Sequence, residues 1–168
     1  TTGVPVVGDY PTVKAGGIIG FYGNGQSEDT PGYVKDCANK GNIYGHMETA
    51  GGIVGWYGGG RKSSLPLILQ NCYNLGDITG TADGKAINMR LNLGGLLGNP
   101  DFGRDYVEIQ NCYSTGTVSK TSNSTATIGD LYPSTASFVT TTNSYGPSDI
   151  KAMDEGLTSE IMGKAYQD

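Results

Sequence analysis

Hydrophobic residues in this chain occur in short groups that glycine and asparagine interrupt. One such group recurs three times, as GGIIG (residues 16–20), GGIVG (51–55) and GGLLG (94–98). Each group is too short for a helix, and glycine inside a helix costs roughly 1 kcal/mol per residue. The pattern therefore predicts short β-strands bounded by turns.

A second motif follows each of these groups. It reads DCANKGNI (36–43), NCYNLGDI (71–78) and NCYSTGTV (111–118), and weaker traces of a fourth copy are TIG (127–129) and NSY (143–145). The last glycine of the first motif precedes the cysteine of the second by 17, 17 and 14 residues. The two motifs therefore belong to one repeated unit, whose length varies only in its connections.

One unit cannot bury its apolar face alone, whereas stacked units pair equivalent strands about 4.8 Å apart. Stacking places apolar residues, cysteines and asparagines in columns, and stacked amides can hydrogen-bond along a column. We predict an all-β fold, a parallel β-helix-like or β-roll-like solenoid of about three to four repeats. An antiparallel sandwich of similar hairpins is the alternative.

The predicted repeat domain covers residues 1–147, and residues 148–168 differ in character. The run IKAMD (150–154) allows a short helix, so this segment is predicted to be a helical or irregular cap, or a tail. A cap would cover the strand edges that the end of a solenoid exposes. Thr1 is interpreted as an internal start within a longer precursor or as a mature terminus after cleavage.

The sequences GGIVG (51–55) and NCYNLGDI (71–78) resemble the GLUG-type repeat, and the resemblance covers roughly residues 14–146. That repeat occurs in large secreted or wall-attached bacterial proteins, including adhesin-like proteins. The resemblance implies a β-solenoid and an extracellular or cell-surface location in bacteria. It implies no particular activity, because such repeats accompany many different domains. The third copy departs from the pattern at Asn99 and Pro100, which predicts that its connection folds differently.

Composition and charge exclude several classes of partner. The chain of 168 residues has 28 glycines, 11 tyrosines and a net charge of −5. An acidic surface repels phosphate backbones and anionic lipid, so nucleic-acid binding is not expected. No run approaches about 18 apolar residues, so membrane insertion by this segment is not expected either. No motif predicts a cofactor.

The three cysteines, Cys37, Cys72 and Cys112, occupy one repeat position. This predicts inward-facing free thiols, since an odd number cannot pair completely within the chain. No Cys-x-x-Cys motif is present, and the single histidine, His46, lies outside the cysteine position. No metal site is predicted.

Carboxylates are candidate catalytic residues, because parallel β-helices include polysaccharide lyases and hydrolases. Asp101, Asp105 and Glu108 form the best acidic group, but they lie in one connection and the other copies have no matching acids. A glycosidase needs two carboxyl groups roughly 5–9 Å apart. These side chains are therefore interpreted as solvated loop charges, and a carbohydrate-active enzyme is the alternative function.

Aromatic residues give the positive indication of binding. Phe21–Tyr22 and Trp56–Tyr57 follow the glycine-rich strands at matching positions, and alternation places one ring of each pair inward and one outward. Outward rings can contact sugars or proteins, and the alternative is that they stack on one another and stiffen the solenoid. The sequence therefore favours a non-catalytic structural or adhesive module of an exported bacterial surface protein. Its expected partners are glycans, surface proteins or neighbouring domains, and a passive spacer is a further alternative.

Overall fold

The computed structural model describes residues 13–24, 30–59, 65–81, 91–100, 106–121, 126–136 and 138–152. Seventeen strands and one short helix lie in these ranges. The strands fall into successive groups, which we call layers. The first layer contains β1 (Lys14–Gly16), β2 (Ile19–Asn24), β3 (Gly32–Lys35), β4 (Ala38–Asn39) and β5 (Ile43–His46).

Later layers repeat this order of strands. The second contains β6 (Thr49–Gly51), β7 (Val54–Gly59), β8 (Leu67–Gln70), β9 (Tyr73–Asn74) and β10 (Ile78–Thr81). The third contains β11 (Leu91–Gly94), β12 (Leu97–Pro100), β13 (Val107–Gln110), β14 (Tyr113–Ser114) and β15 (Val118–Lys120). The fourth contains β16 (Ala126–Gly129) and β17 (Val139–Thr142), and helix α1 (Pro147–Ala152) follows it.

Strands at the same place in each layer pair in parallel and form five sheets. Their strand orders are β1-β6-β11-β16 (sheet 1), β2-β7-β12 (sheet 2), β3-β8-β13-β17 (sheet 3), β4-β9-β14 (sheet 4) and β5-β10-β15 (sheet 5). All of these pairings are parallel. The expectation of an all-β fold with parallel strands is confirmed, and the arrangement is consistent with a β-solenoid.

The sheet register follows the sequence repeat. Gly16 pairs with Gly51, and Gly51 with Gly94, so the first motif superimposes on itself from layer to layer. Asn99 and Pro100 keep the strand pairing of the other layers, and the rest of the predicted connection, residues 101–105, lies outside the described residues. Asn99 and Pro100 both belong to β12 and pair with β7 in the same register as the layer below, because Pro100 ends the strand and leaves its pairing intact.

The apolar side chains form two separate clusters. One lies between sheets 2 and 3 and includes the fully buried Ile53, Leu69 and Ile109. The other lies between sheets 1 and 5 and includes Leu93 and Ile78. Stacking buries one face of the strands of these four sheets in the two clusters, which no single layer could do.

The glycine pair of the first motif allows the second motif to pack against it. A Cβ at Gly52 would clash with the carbonyl oxygen of Gly95 and with the side chain of Asn74. The same relation holds between Gly17 and Asn39. The two motifs are therefore halves of one packing unit, in which the absent side chain of glycine leaves room for an asparagine.

Candidate functional site

The four aromatic residues singled out in the sequence lie together on sheet 2. Phe21 pairs with Trp56, and Tyr22 pairs with Tyr57. The sheet ladder pairs Ile19 with Val54 but skips the glycine that follows each of them. Val54 and Tyr57 both pack in the core although they are three residues apart, so the alternation of side chains is broken between them. Tyr22 and Tyr57, and not their neighbours Phe21 and Trp56, therefore pack with the core.

The inner and outer rings differ in their access to solvent. Tyr57 is fully buried, and Tyr22 packs against the core with its ring centroid 5.9 Å from that of Tyr57. Phe21 is 57% exposed, and Trp56 is half-buried. Of the four predicted contact residues, Phe21 and Trp56 are therefore the ones that a large ligand can reach.

Phe21, Trp56 and Lys14 form a cluster that we call the aromatic patch. The ring centroids of Phe21 and Trp56 are 6.4 Å apart in an edge-to-face arrangement. The Lys14 ammonium lies 4.1 Å from the centroid of the Trp56 ring and 4.0 Å from a carboxylate oxygen of Glu48. A cation over an indole face is attracted by the ring quadrupole, so Lys14 fixes the orientation of Trp56.

Glycines position the exposed ring of the patch. A Cβ at Gly23 would come within 3.0 Å of the Phe21 ring, and a Cβ at Gly58 within 3.2 Å. The Phe21 ring therefore occupies space that these two residues leave open. Trp56 Nε1 is buried beside Gly58 and has no hydrogen-bond partner among the described residues. The patch ends at the third layer, where Asn99 replaces the aromatic ring.

The cysteines form a column, as the repeat predicts. Cys72 and Cys112 are buried, Cys37 is partly exposed, and all three are free thiols. Each thiol donates a hydrogen bond to the carbonyl two residues before it, at 3.0 Å for Cys37 and 3.1 Å for Cys112. The backbone N–H of Cys72 donates to Cys112 Sγ at 3.3 Å. The column therefore links adjacent layers through hydrogen bonds as well as through packing.

The serine of the fourth copy makes equivalent bonds. Ser144 Oγ lies 2.8 Å from the carbonyl of Thr142 and accepts from the N–H of Cys112 at 3.1 Å. The hydrogen bond with Cys72, together with burial, raises the pKa of the Cys112 thiol well above its usual range, and the same hydrogen bond lowers the pKa of the Cys72 thiol. Burial also raises the pKa of Cys37. The reactive thiolate is therefore disfavoured at Cys37 and Cys112.

Two ladders of polar side chains run through the layers. In the first, Asn39 Nδ2 donates to Asn74 Oδ1 at 2.7 Å, and Asn74 Nδ2 donates to Ser114 Oγ at 3.2 Å. This confirms the expectation that stacked amides hydrogen-bond along a column. Asn74 and Ser114 are fully buried, so the ladder also satisfies polar atoms that water cannot reach.

The second ladder was not predicted from the sequence. Its members precede the cysteine or serine of each copy and adopt positive φ angles between 47° and 55°; they are Asp36, Asn71, Asn111 and Asn143. The amide of each asparagine donates to the preceding member at 3.1–3.4 Å. Asparagine and aspartate tolerate this left-handed conformation better than other non-glycine residues. The recurrence of asparagine or aspartate before each cysteine was the feature of the sequence from which this ladder could have been predicted.

A stacked pair of tyrosine rings was also not predicted from the sequence. The rings of Tyr73 and Tyr113 lie nearly parallel, at an angle of 4° with centroids 5.1 Å apart. The tyrosine that follows each of these cysteines was visible in the motif.

The predicted acidic group is only partly described. Asp101 and Asp105 lie outside the described residues. Glu108 lies on β13 and accepts a hydrogen bond from Gln110 Nε2 at 2.9 Å. Its neighbours in sheet 3 are Ile68 and Thr140, so the adjacent strands supply no second carboxylate beside it.

The described ranges contain no group of three or more histidine, cysteine, aspartate or glutamate residues that could hold a metal ion. In the same ranges, no helix has the length and apolar character needed to cross a bilayer. Comparisons with protein-family models, curated proteins and solved structures found no match to this chain.

Proposed function

We propose that this chain is a non-catalytic adhesive and structural module that presents the aromatic patch to a glycan or a protein. The observation that carries the proposal is the exposed Phe21 ring, positioned between Trp56 and two glycines on a rigid parallel sheet. Rigid aromatic rings supply contact area at a low cost in conformational entropy. Sites on strands also hold their geometry better than sites on loops.

Other features of the patch support a binding role. An exposed phenylalanine next to a half-buried tryptophan is an apolar surface that the folded chain leaves uncovered in its described part. The buried Trp56 N–H has no acceptor among the described residues, and an unsatisfied buried donor is uncommon in folded proteins. Lys14 adds a charged group at the rim, where polar contacts provide specificity.

The wider proposal concerns the whole module. It is a solenoid of three to four repeats, supported by three layers with the same strand order and a fourth with two strands. The described part of the proposed cap, residues 148–152, belongs to helix α1 after the last strand, and residues 153–168 lie outside the described residues. The GLUG-type motifs support a place in an exported bacterial surface protein, with neighbouring domains in a longer chain.

The binding proposal is tested with the Phe21→Ala variant on a glycan array and on immobilised mucin and matrix glycoproteins. We expect wild-type protein to bind at least one of these probes and the variant to bind about tenfold more weakly or worse, as for a central aromatic contact. Tyr44→Ala is the matched control, because Tyr44 is 73% exposed in the same layer but belongs to sheet 5.

The possible results separate the candidate functions. Equal losses in Phe21→Ala and Tyr44→Ala would indicate non-specific adhesion and would contradict the proposal. Absence of binding to every probe, with an extended shape in solution scattering, would favour a passive spacer. Cleavage of acidic polysaccharides that Glu108→Gln abolishes would favour the enzyme.

A further inference from the structure

A cavity of about 400 Å³ lies at the end of the stack, in the fourth layer. Its walls come from the segment after β16, from β17 and from the start of α1. This volume falls in the range of small-ligand pockets, roughly 300–1,000 Å³. The cavity is separate from the aromatic patch, whose residues belong to the first two layers.

Polar side chains dominate the cavity wall. They are Asp130, Tyr132, Ser134, Thr141, Ser144 and Asp149. None of the described residues that line it is a lysine or an arginine. Two carboxylates and several hydroxyls make the wall rich in hydrogen-bond acceptors, while the Tyr132 ring and the buried Leu131 supply an apolar surface.

Backbone hydrogen bonds hold the polar groups of the wall in place. Asp130 Oδ2 accepts from the N–H of Ser148 at 2.9 Å, and Asp149 Oδ2 accepts from the N–H of Gly146 at 2.9 Å. The second oxygen of each carboxylate makes no hydrogen bond to a described residue. Ser144 is held by its hydrogen bonds to Ile109 and Cys112 in the third layer. The wall is therefore preorganised, and ligand binding would require little ordering of side chains.

From this geometry we infer that the cavity binds a small hydroxyl-rich ligand that carries a protonated amine, such as an amino sugar. Hydroxyl and ammonium groups supply the donors that the free carboxylate oxygens accept. A positive charge adds attraction to Asp130 and Asp149, whereas an acidic sugar is repelled by both. The preference is therefore for amino sugars over neutral sugars, and for neutral sugars over acidic ones.

The test is titration of the full chain with glucosamine, glucose and glucuronate, followed by amide chemical shifts. Glucosamine is expected to shift the amides of residues 129–136 and 141–149 at the lowest concentration, glucose at a higher one, and glucuronate least. Asp149→Asn and Asp130→Asn each weaken glucosamine binding about tenfold, since each removes a charge-assisted bond and retains an oxygen for the backbone N–H.

Asp77→Asn is the matched control. It removes the same charge, and Asp77 likewise accepts a backbone hydrogen bond, from Thr117 at 2.8 Å, but it lies in the second layer away from the cavity. Amide dispersion of each variant verifies folding. Shifts centred on Phe21 and Trp56, equal affinity in all three variants, tighter binding of glucuronate, or no shift with any sugar would overturn the inference.

Discussion

The first and second layers carry the same motif, but their equivalent side chains differ in exposure. Ile18 is 45% exposed, whereas Ile53, its counterpart in the second layer, is fully buried. Cys37 and Cys72 differ in the same direction. The second layer lies between two others, while the described residues cover the first layer on one side only. Burial in this fold therefore depends on the adjacent layers as much as on residue type.

The largest effect is expected from truncation of the isoleucine that both layers have at the same repeat position, Ile18 in the first and Ile53 in the second. Ile53→Ala should lower the free energy of unfolding by about 4 kcal/mol, because it leaves a cavity in a closed core. Ile18→Ala should cost about 1 kcal/mol, because solvent already contacts that side chain. Urea unfolding of both variants measures the difference. Equal losses would contradict the account of burial by stacking.

A smaller effect on stability is expected when alanine replaces the glycine of the second motif, which is Gly41 in the first layer and Gly76 in the second. A Cβ at Gly76 would clash with the carbonyl oxygen of Gly41 in the layer below, whereas a Cβ at Gly41 would meet only Asn39 Oδ1, at 3.7 Å. Gly76→Ala should therefore lower the free energy of unfolding by about 3 kcal/mol. Gly41→Ala should change it by less than about 1 kcal/mol. Thermal melts of the pair provide the measurement.

The smallest effect concerns alkaline stability and the cysteine column. The pKa of Cys112 is raised in the folded state, so its contribution to stability is complete below the pKa of the unfolded thiol, about 8.5. It is lost as pH rises above that value, because the unfolded chain releases a proton that the folded chain retains. We expect a loss of about 1 kcal/mol between pH 8 and 9.5 from this thiol, which Cys72 opposes in part because the same hydrogen bond lowers the pKa of Cys72.

Serine variants isolate this pH dependence. Urea unfolding in reductant should show a shallower decline between pH 8 and 9.5 for Cys112→Ser than for the wild type. Ser144 shows that a hydroxyl can make the same bonds at this repeat position. Cys37→Ser should alter the slope less, because Cys37 is more exposed. An unchanged slope in Cys112→Ser would refute the role assigned to this thiol.

Sequence repetition was sufficient to predict much of the fold. The matching positions of Gly16, Gly51 and Gly94 predicted their pairing in one parallel sheet, and the cysteine position predicted a column. Repeats were informative because a stacked unit must place like residues above one another to keep its contacts. Segment 148–168 has no such repetition, and its described residues, 148–152, belong to a helix that the repeats did not predict.

The candidate site was less predictable. Alternation indicated that one ring of each aromatic pair faces outward, but it did not indicate which one. In the structure the alternation is broken near the glycine pair that the strand pairing omits, and Phe21 and Trp56 are the outward rings. The second side-chain ladder depends on positive φ angles at Asp36, Asn71, Asn111 and Asn143, which the sequence permits but does not require. The cavity near Asp130 and Asp149 joins residues from different elements, and no motif relates them.

The sequence by itself determined the repeated unit, its parallel register and the identity of the residues in each column. These follow from local patterns, because equivalent strands have equivalent side chains. The tertiary structure alone decided which layer is sealed, which ring is exposed and which polar groups meet at the end of the stack. Those outcomes arise from contacts between residues 18 to 40 positions apart, and only the folded chain brings such residues together.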